Sequence, residues 1–245
     1  MNLWTDHHAS TIDPARFRAH DQYLEQSAAY PYHELTRWAR QYRADWLDAM
    51  TEDGAFGCTV ATAAEGKTVS RDLLDSIAEL DFLDRYVPNL ANARVLDIGA
   101  GYGRLAHRLT TVSRTCSVVC TDAIDVSRAV CATYLDHRGI PFERAHVTHP
   151  DVLNDAGEFD LACNVHSWSE CSLDEVRGWL DWLAPRVKRI FIVPHTPSFG
   201  TYSAERGGGN GPSYVEELHA RWYSATVMWG GPDCCPRTYS LWERA

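Results

Sequence analysis

The run VLDIGAGYGR at residues 95–104 decides the fold. Aliphatic Val95, Leu96 and Ile98 surround one acid, Asp97, and Gly99, Gly101 and Gly103 follow at every second position before RLAHRL at residues 104–109. A short apolar run ended by glycines and followed by helical spacing predicts a strand, a tight turn and a helix. At such a turn the backbone can approach a ligand closely. Working outward, the same alternation continues: strands at 94–98 and 117–121, helices at 104–109 and 126–135, then strands near 142–147, 161–165 and 190–193. A helix is expected at 173–183, where Ser172 and Glu175 stand at capping-box spacing. A short helix at 214–219 and two aromatic strands at 222–228 and 238–242 close the chain as a hairpin. Repeated strand–helix alternation is the signature of an α/β fold.

Upstream the texture differs. Residues 32–50 space aromatic and aliphatic side chains at helical intervals, Gly54, Gly57 and Gly66 interrupt them, and residues 69–86 resume the pattern with Ser70 as N-cap and Pro88 as the stop. The chain therefore divides into an N-terminal helical layer over residues 1–92, with residues 32–71 as a lid, and a ligand-binding domain over residues 93–245. At 245 residues it is long enough for one large α/β core. A net charge of −10, from 33 acids against 23 bases, disfavours phosphate backbones, so nucleic acid is not the expected partner. No apolar stretch approaches the ~20 residues of a membrane span, and residues 1–10 lack a basic then apolar leader, so a soluble, cytoplasmic protein is expected. Cys116, Cys120 and Cys163 fall in strand-like runs and read as buried thiols, and adjacent Cys234 and Cys235 have poor zinc spacing.

The glycine run narrows the ligand. A dinucleotide fingerprint wants G-x-G-x-x-G, whereas this chain reads G-x-G-x-G with Arg104 in the place of the third glycine. Asp97 before the first glycine suits a ligand with a positive ammonium rather than phosphates, which points to S-adenosylmethionine (SAM). Asp122, closing the second strand about 25 residues beyond Asp97, can accept both ribose hydroxyls. Taken alone, it reads equally well as an acid favouring a helix N-terminus.

With DIGAGYG, the acidic second strand and FDLACNVHS at the fourth, the chain resembles class I SAM-dependent methyltransferases from residue 69 to the end. More narrowly, VSRDLLDSIAEL, VLDIGAGYGRLAHR, NVHSWSECS and IFIVPHT are similar to bacterial sugar O-methyltransferases. The resemblance implies an α/β, Rossmann-like methyltransferase sheet of seven strands with the last one antiparallel, and a methyl acceptor that is a hydroxyl of a sugar or glycosylated small molecule.

Candidate catalytic residues follow the fourth and fifth strands. A sugar hydroxyl holds its proton tightly, so transfer needs a base in line with the methyl. His166 fits that need, or it merely bonds a backbone carbonyl. Glu170 orients His166, takes the proton itself, or is a solvated loop acid. His195, after the fifth strand, is the second candidate for acceptor contact or proton relay. Asn164 joins the cofactor set, and Arg71 offers a fork for the methionine carboxylate or is a solvated helix arginine. Metal is not expected, because the fourth-strand segment supplies only Glu170 after Asn164 and His166. An amine or phenol acceptor, or a SAM-binding regulator without catalysis, are the competing readings.

Overall fold

The computed structural model describes residues 13–19, 30–63, 66–203, 209–221, 223–229 and 231–244. Among these lie helices α1 (Tyr32–Tyr42), α2 (Ala44–Ala49), α3 (Arg71–Tyr86), α4 (Arg104–Val112), α5 (Asp125–His137), α6 (Leu173–Leu183) and α7 (Val215–Ala220). The short strands β1 (Ala61–Thr62) and β2 (Thr68–Val69) pair as a hairpin. The main sheet holds β3 (Arg94–Ile98), β4 (Ser117–Thr121), β5 (Ala145–Thr148), β6 (Leu161–Val165), β7 (Arg189–Val193), β8 (Tyr223–Trp229) and β9 (Tyr239–Arg244).

Its order is β5-β4-β3-β6-β7-β9-β8. Strands β3 to β7 run parallel, and β9 inserts antiparallel to both β7 and β8. This is the seven-stranded sheet with an antiparallel last strand that the resemblance implies. The chain moves outward from β3 through β4 to β5 and returns to β6 on the other flank of β3. That reversal leaves a crevice at the carboxyl edge of β3, where open α/β sheets bind ligands.

Side-chain alternation gives the sheet two buried faces. Val95, Cys120, Cys163 and Phe191 pack with Leu35 and Leu47 of the N-terminal layer, with Leu73 and Leu80 of α3 and with Leu105 and Leu109 of α4. Leu96, Ala162 and Ile190 pack with Val176, Leu180 and Leu183 of α6 and with Leu218 of α7. Both faces being covered explains why β3, β4, β6 and β7 read as continuous apolar runs. Ser70 caps α3 by accepting from Leu73 N at 3.1 Å, and the Ser172–Glu175 capping box opens α6.

Local departures have physical causes. The expected helix over 32–50 is two helices, broken at Arg43, whose φ of −144° is extended and whose Nε reaches Asp81 of α3 at 2.6 Å. The strand expected from Phe142 starts at Ala145, because the 141–144 turn leaves Phe142 exposed and stacked on His146. The helix expected from Val69 starts at Arg71, since Val69 is spent on the β1–β2 hairpin. Cys116, Cys120 and Cys163 are buried thiols. Trp222 and the 207–208 part of the glycine-rich loop lie outside the described residues. Among the described residues no helix is long and apolar enough to cross a membrane.

Candidate functional site

The cleft at the carboxyl edge of β3 and β6 is lined by Asp97, Gly99, Gly101, Tyr102, Asp122, His166 and Glu170, with Arg104, Ile124 and Trp179 among the remaining walls. Six of the ten site residues expected from sequence therefore meet in one cavity. Gly103, Asn164, Arg71 and His195 do not line it.

The glycines divide their work. Gly99 has φ +69°, and a Cβ there would stand 2.2 Å from the Ser167 side chain, so its bareness admits β6's own loop. Gly101, at φ +55°, has nothing within 4 Å of a would-be Cβ and so faces open cleft. It is the glycine whose bareness leaves room for a ligand. Gly103 sits behind the turn, where Cys131 of α5 would be 2.8 Å from its Cβ, so it serves helix packing.

Asp97 is 3% exposed, and its Oδ2 has no hydrogen-bond partner among the described residues. Burial, with Glu79 and Asp122 nearby, pushes its carboxyl up to about 7 against the pull of Arg104. A carboxylate held dry beside an open cleft is matched by a cation, which would bring the charge and donors that the protein withholds. Asp122 accepts from Gly101 N at 3.2 Å and Ile124 N at 3.0 Å, one bond to each oxygen. It thereby ties the glycine turn to β4, and each oxygen keeps lone-pair capacity toward the cleft. Burial raises its carboxyl despite those bonds.

Arg104, in the place of a third glycine, turns away from the turn to grip Glu79 of α3 through both Nη atoms, at 2.7 and 3.0 Å, and to donate to Ser76 at 2.8 Å. Its bidentate pair locks α3 over the start of α4. Tyr102, whose hydroxyl donates to Asp72, is a second tie between the turn and α3. Sequence reasoning missed Tyr102, because its partner lies 30 residues upstream and no spacing rule connects them.

Asn164 is buried and fully engaged. Its Nδ2 donates to Ile98 O at 3.1 Å and Ser167 Oγ at 2.6 Å, and its Oδ1 accepts from Trp168 N at 3.1 Å. It fastens the cleft floor. Arg71 pairs with Asp75 at 3.3 Å one turn along α3. Trp168 is buried, its ring edge-on to Tyr214.

His166 occupies a left-handed backbone conformation, φ +70°, ψ −31°, directly after β6. Such a conformation costs a non-glycine residue about 1–3 kcal/mol and persists where the surroundings impose it. Its backbone N bonds Val193 O at 2.8 Å, and the turn directs the ring to lie 4.8 Å from the His195 ring. Nδ1 of His166 is buried with no partner among the described residues. Burial, His195 and Arg237 hold its pKa well below the usual histidine range, so the ring is neutral at pH 7. His195 is more open, with 32% of its side chain exposed, and its Nε2 lies 3.6 Å from Glu170 Oε1. Burial and Arg237 lower its pKa as well. Two neutral imidazoles and a carboxylate thus converge beside the glycine turn. Among the described residues no three His, Cys, Asp or Glu side chains gather as a metal site.

No family model matches the sequence, and none of the curated proteins does. Solved structures do. The pyocyanin biosynthetic protein PhzM aligns with a TM-score of 0.55 at 14% identity, over 71% of this chain and 56% of that one. The chain thus spans little more than half of that protein's length. Magnesium protoporphyrin IX methyltransferase (ChlM) from Synechocystis PCC 6803, with SAM bound, aligns with a TM-score of 0.52 at 14% identity, over 92% of this chain and 98% of that one. The chain has the Rossmann-like fold of these proteins.

Proposed function

We propose that the chain is a SAM-dependent methyltransferase whose acceptor is a hydroxyl of a sugar or glycosylated small molecule. The observation that carries the donor half is Asp97, a buried carboxylate with an unpartnered oxygen lining a cleft that Asp122 also lines. Asp97 would hold the ammonium of SAM, Asp122 the ribose hydroxyls, and the Gly101 backbone would lie against the ligand. Bound there, SAM supplies an electrophilic methyl group on a sulfonium sulfur.

The acceptor half rests on His166, Glu170 and His195. A neutral His166 has a lone pair ready for the hydroxyl proton, and the cleft wall it shares with Glu170 sets where the hydroxyl must come. His195, its ring tilted beside that of His166, faces Glu170, whose carboxylate would offset positive charge gained at this edge. A positioned base contributes about 10²–10⁴-fold. Polar groups at this edge favour a polar acceptor, and catalysis is mainly orientation of the two reactants.

Calorimetry with SAM, and with NAD as control, followed by transfer of a labelled methyl group into a panel of glycosides and nucleotide sugars, tests both halves. Tight NAD binding without SAM binding would sink the donor assignment. Labelling of amines or phenols but no glycoside would move the acceptor to another class, and SAM binding with no transfer to any of them would favour a regulator.

A further inference from the structure

We propose that Arg237 anchors an anionic group on the acceptor, so that this edge of the sheet takes a phosphorylated or carboxylated sugar in preference to a neutral one. The inference rests on the methyltransferase reading above and deepens it. It begins with sheet order. Along the carboxyl edge, β4 delivers Asp122, β3 the Asp97 turn, β6 His166 and β7 His195, and the segment leading into β9 brings Arg237 to the same edge. Ile192 of β7 is opposite Ser240 of β9, which places the residues before β9 beside those after β7. The edge therefore runs from acids at one end, suited to the cationic donor, to a guanidinium at the other.

Arg237 is held rather than loose. Its side chain is 19% exposed, and Nη2 pairs with Asp75 Oδ2 at 3.1 Å. The Asp75 carboxylate is shared, accepting also from Tyr30 Oη at 2.6 Å and Arg71 Nε at 3.3 Å. A guanidinium carries five N–H donors in a planar fork, the geometry that recognises carboxylate and phosphate with two bonds. The fork is braced by Asp75 and by a bond to Cys235, which fixes the direction of the donors that remain. Arg237 helps to hold down His195 after burial, and His166 after burial and His195. Glu170 is the acid on the His195 side, its Oε1 3.6 Å from His195 Nε2.

Strands in a sheet lie about 4.8 Å apart, so β9 stands two spacings, roughly 10 Å, from β6. A hexose with its anionic group can span that interval, with a hydroxyl at His166 and the anion at Arg237. Phosphate and carboxylate share this chemistry.

The experiment titrates glucose 1-phosphate, glucuronate, inorganic phosphate and methyl glucoside into the protein, with and without saturating S-adenosylhomocysteine. At least one anion should bind tenfold or more tightly than methyl glucoside. Glucose 1-phosphate ahead of glucuronate identifies phosphate as the source, and the reverse order identifies a carboxylate. Arg237→Gln should weaken the preferred anion by about ten- to a hundredfold, the range for losing bonds to a charged group. Arg237→Lys should recover part of it. The Gln variant leaves Asp75 its bonds from Tyr30 and Arg71, and a thermal melt checks that it folds. Equal binding of all four probes overturns the proposal, as does an Arg237→Gln variant that loses SAM affinity instead, which would give the arginine to the donor. A protein that binds glucose 1-phosphate through Arg237 but ignores S-adenosylhomocysteine keeps the anion site and overturns the methyltransferase reading.

Discussion

SAM binding should expel a proton from Asp97, and the sign of proton exchange should reverse between pH 6 and pH 8. Asp97 in the free protein has its carboxyl pushed up to about 7 by burial. At pH 6 about nine-tenths of it is protonated, and at pH 8 about one-tenth. An ammonium placed against the orphaned Oδ2 favours the charged form and draws the pKa down. Binding at pH 6 should therefore release about 0.9 proton. The ligand's own amino group, with a pKa near 8 on the α-amino scale, is already charged at pH 6, but at pH 8 it takes up about half a proton. Net exchange at pH 8 is then uptake of about 0.4 proton. Calorimetry in buffers of different ionisation enthalpy reads these numbers directly. Asp97→Asn should abolish the release at pH 6 and weaken binding about tenfold to a hundredfold. The same carboxyl costs stability in the free protein. Between about pH 4 and 7 the folded state keeps a proton that the unfolded chain gives up, so stability falls as pH rises. Above pH 7 the full cost is on the order of 4 kcal/mol. Asp97→Asn should thus melt higher than wild type at pH 8 while binding SAM worse. Zero proton exchange at pH 6, or release that survives in Asp97→Asn, refutes the reasoning.

Asp122→Ala should weaken SAM by about tenfold to a hundredfold and also loosen the glycine turn, since it removes the acceptor for Gly101 N, and calorimetry with hydrogen exchange over 99–103 measures both. His166→Ala should lower single-turnover methyl transfer by about 10²–10⁴-fold without changing SAM affinity. Because the His166 pKa lies well below the usual range, the acid limb of the wild-type rate should fall below pH 6, and wild-type rates in the variant from pH 6 to 9 would return the ring to a hydrogen-bonding role. Glu52→Gln should destabilise by about 3–5 kcal/mol in chemical denaturation, because it leaves the buried guanidiniums of Arg18 and Arg108 without their shared carboxylate. Against the cost of burial, Arg18 holds Glu52 down to about 2, so its contribution is whole above about pH 4.5 and is lost as pH falls toward 2. Hydrogen exchange over 32–71 should slow when donor and acceptor are both present if this segment closes as a lid; unchanged protection makes it a static layer.

What could be read from the sequence, and what could not, separates along the range of the forces involved. Strands β3, β4 and β6 were legible to the residue because each is five apolar-rich residues between breakers, and the capping pairs at Ser70 and Ser172 act within three residues. Asp97, Gly101, Asp122, His166 and Glu170 were legible because strand ends at a switch point share one edge whatever the side chains do. The roles of Gly103, Asn164 and Arg104 were not, since each is set by a neighbour distant in sequence: Cys131, Ile98 and Glu79. Asp75 and Arg237 stand 162 positions apart in number and meet at 3.1 Å, a pairing that no spacing rule encodes. The same distinction bears on which residues set specificity. Donor recognition, as proposed, would use groups fixed by the local strand–turn–helix pattern, which is why the motif alone suggests it. Acceptor recognition, as proposed, would draw on α3, the β6 and β7 ends and the segment before β9, elements brought together only by the order of the sheet. Substitutions at Arg237 or Tyr30 should therefore change which acceptor is taken while the glycine turn, and with it the donor, stays as it is.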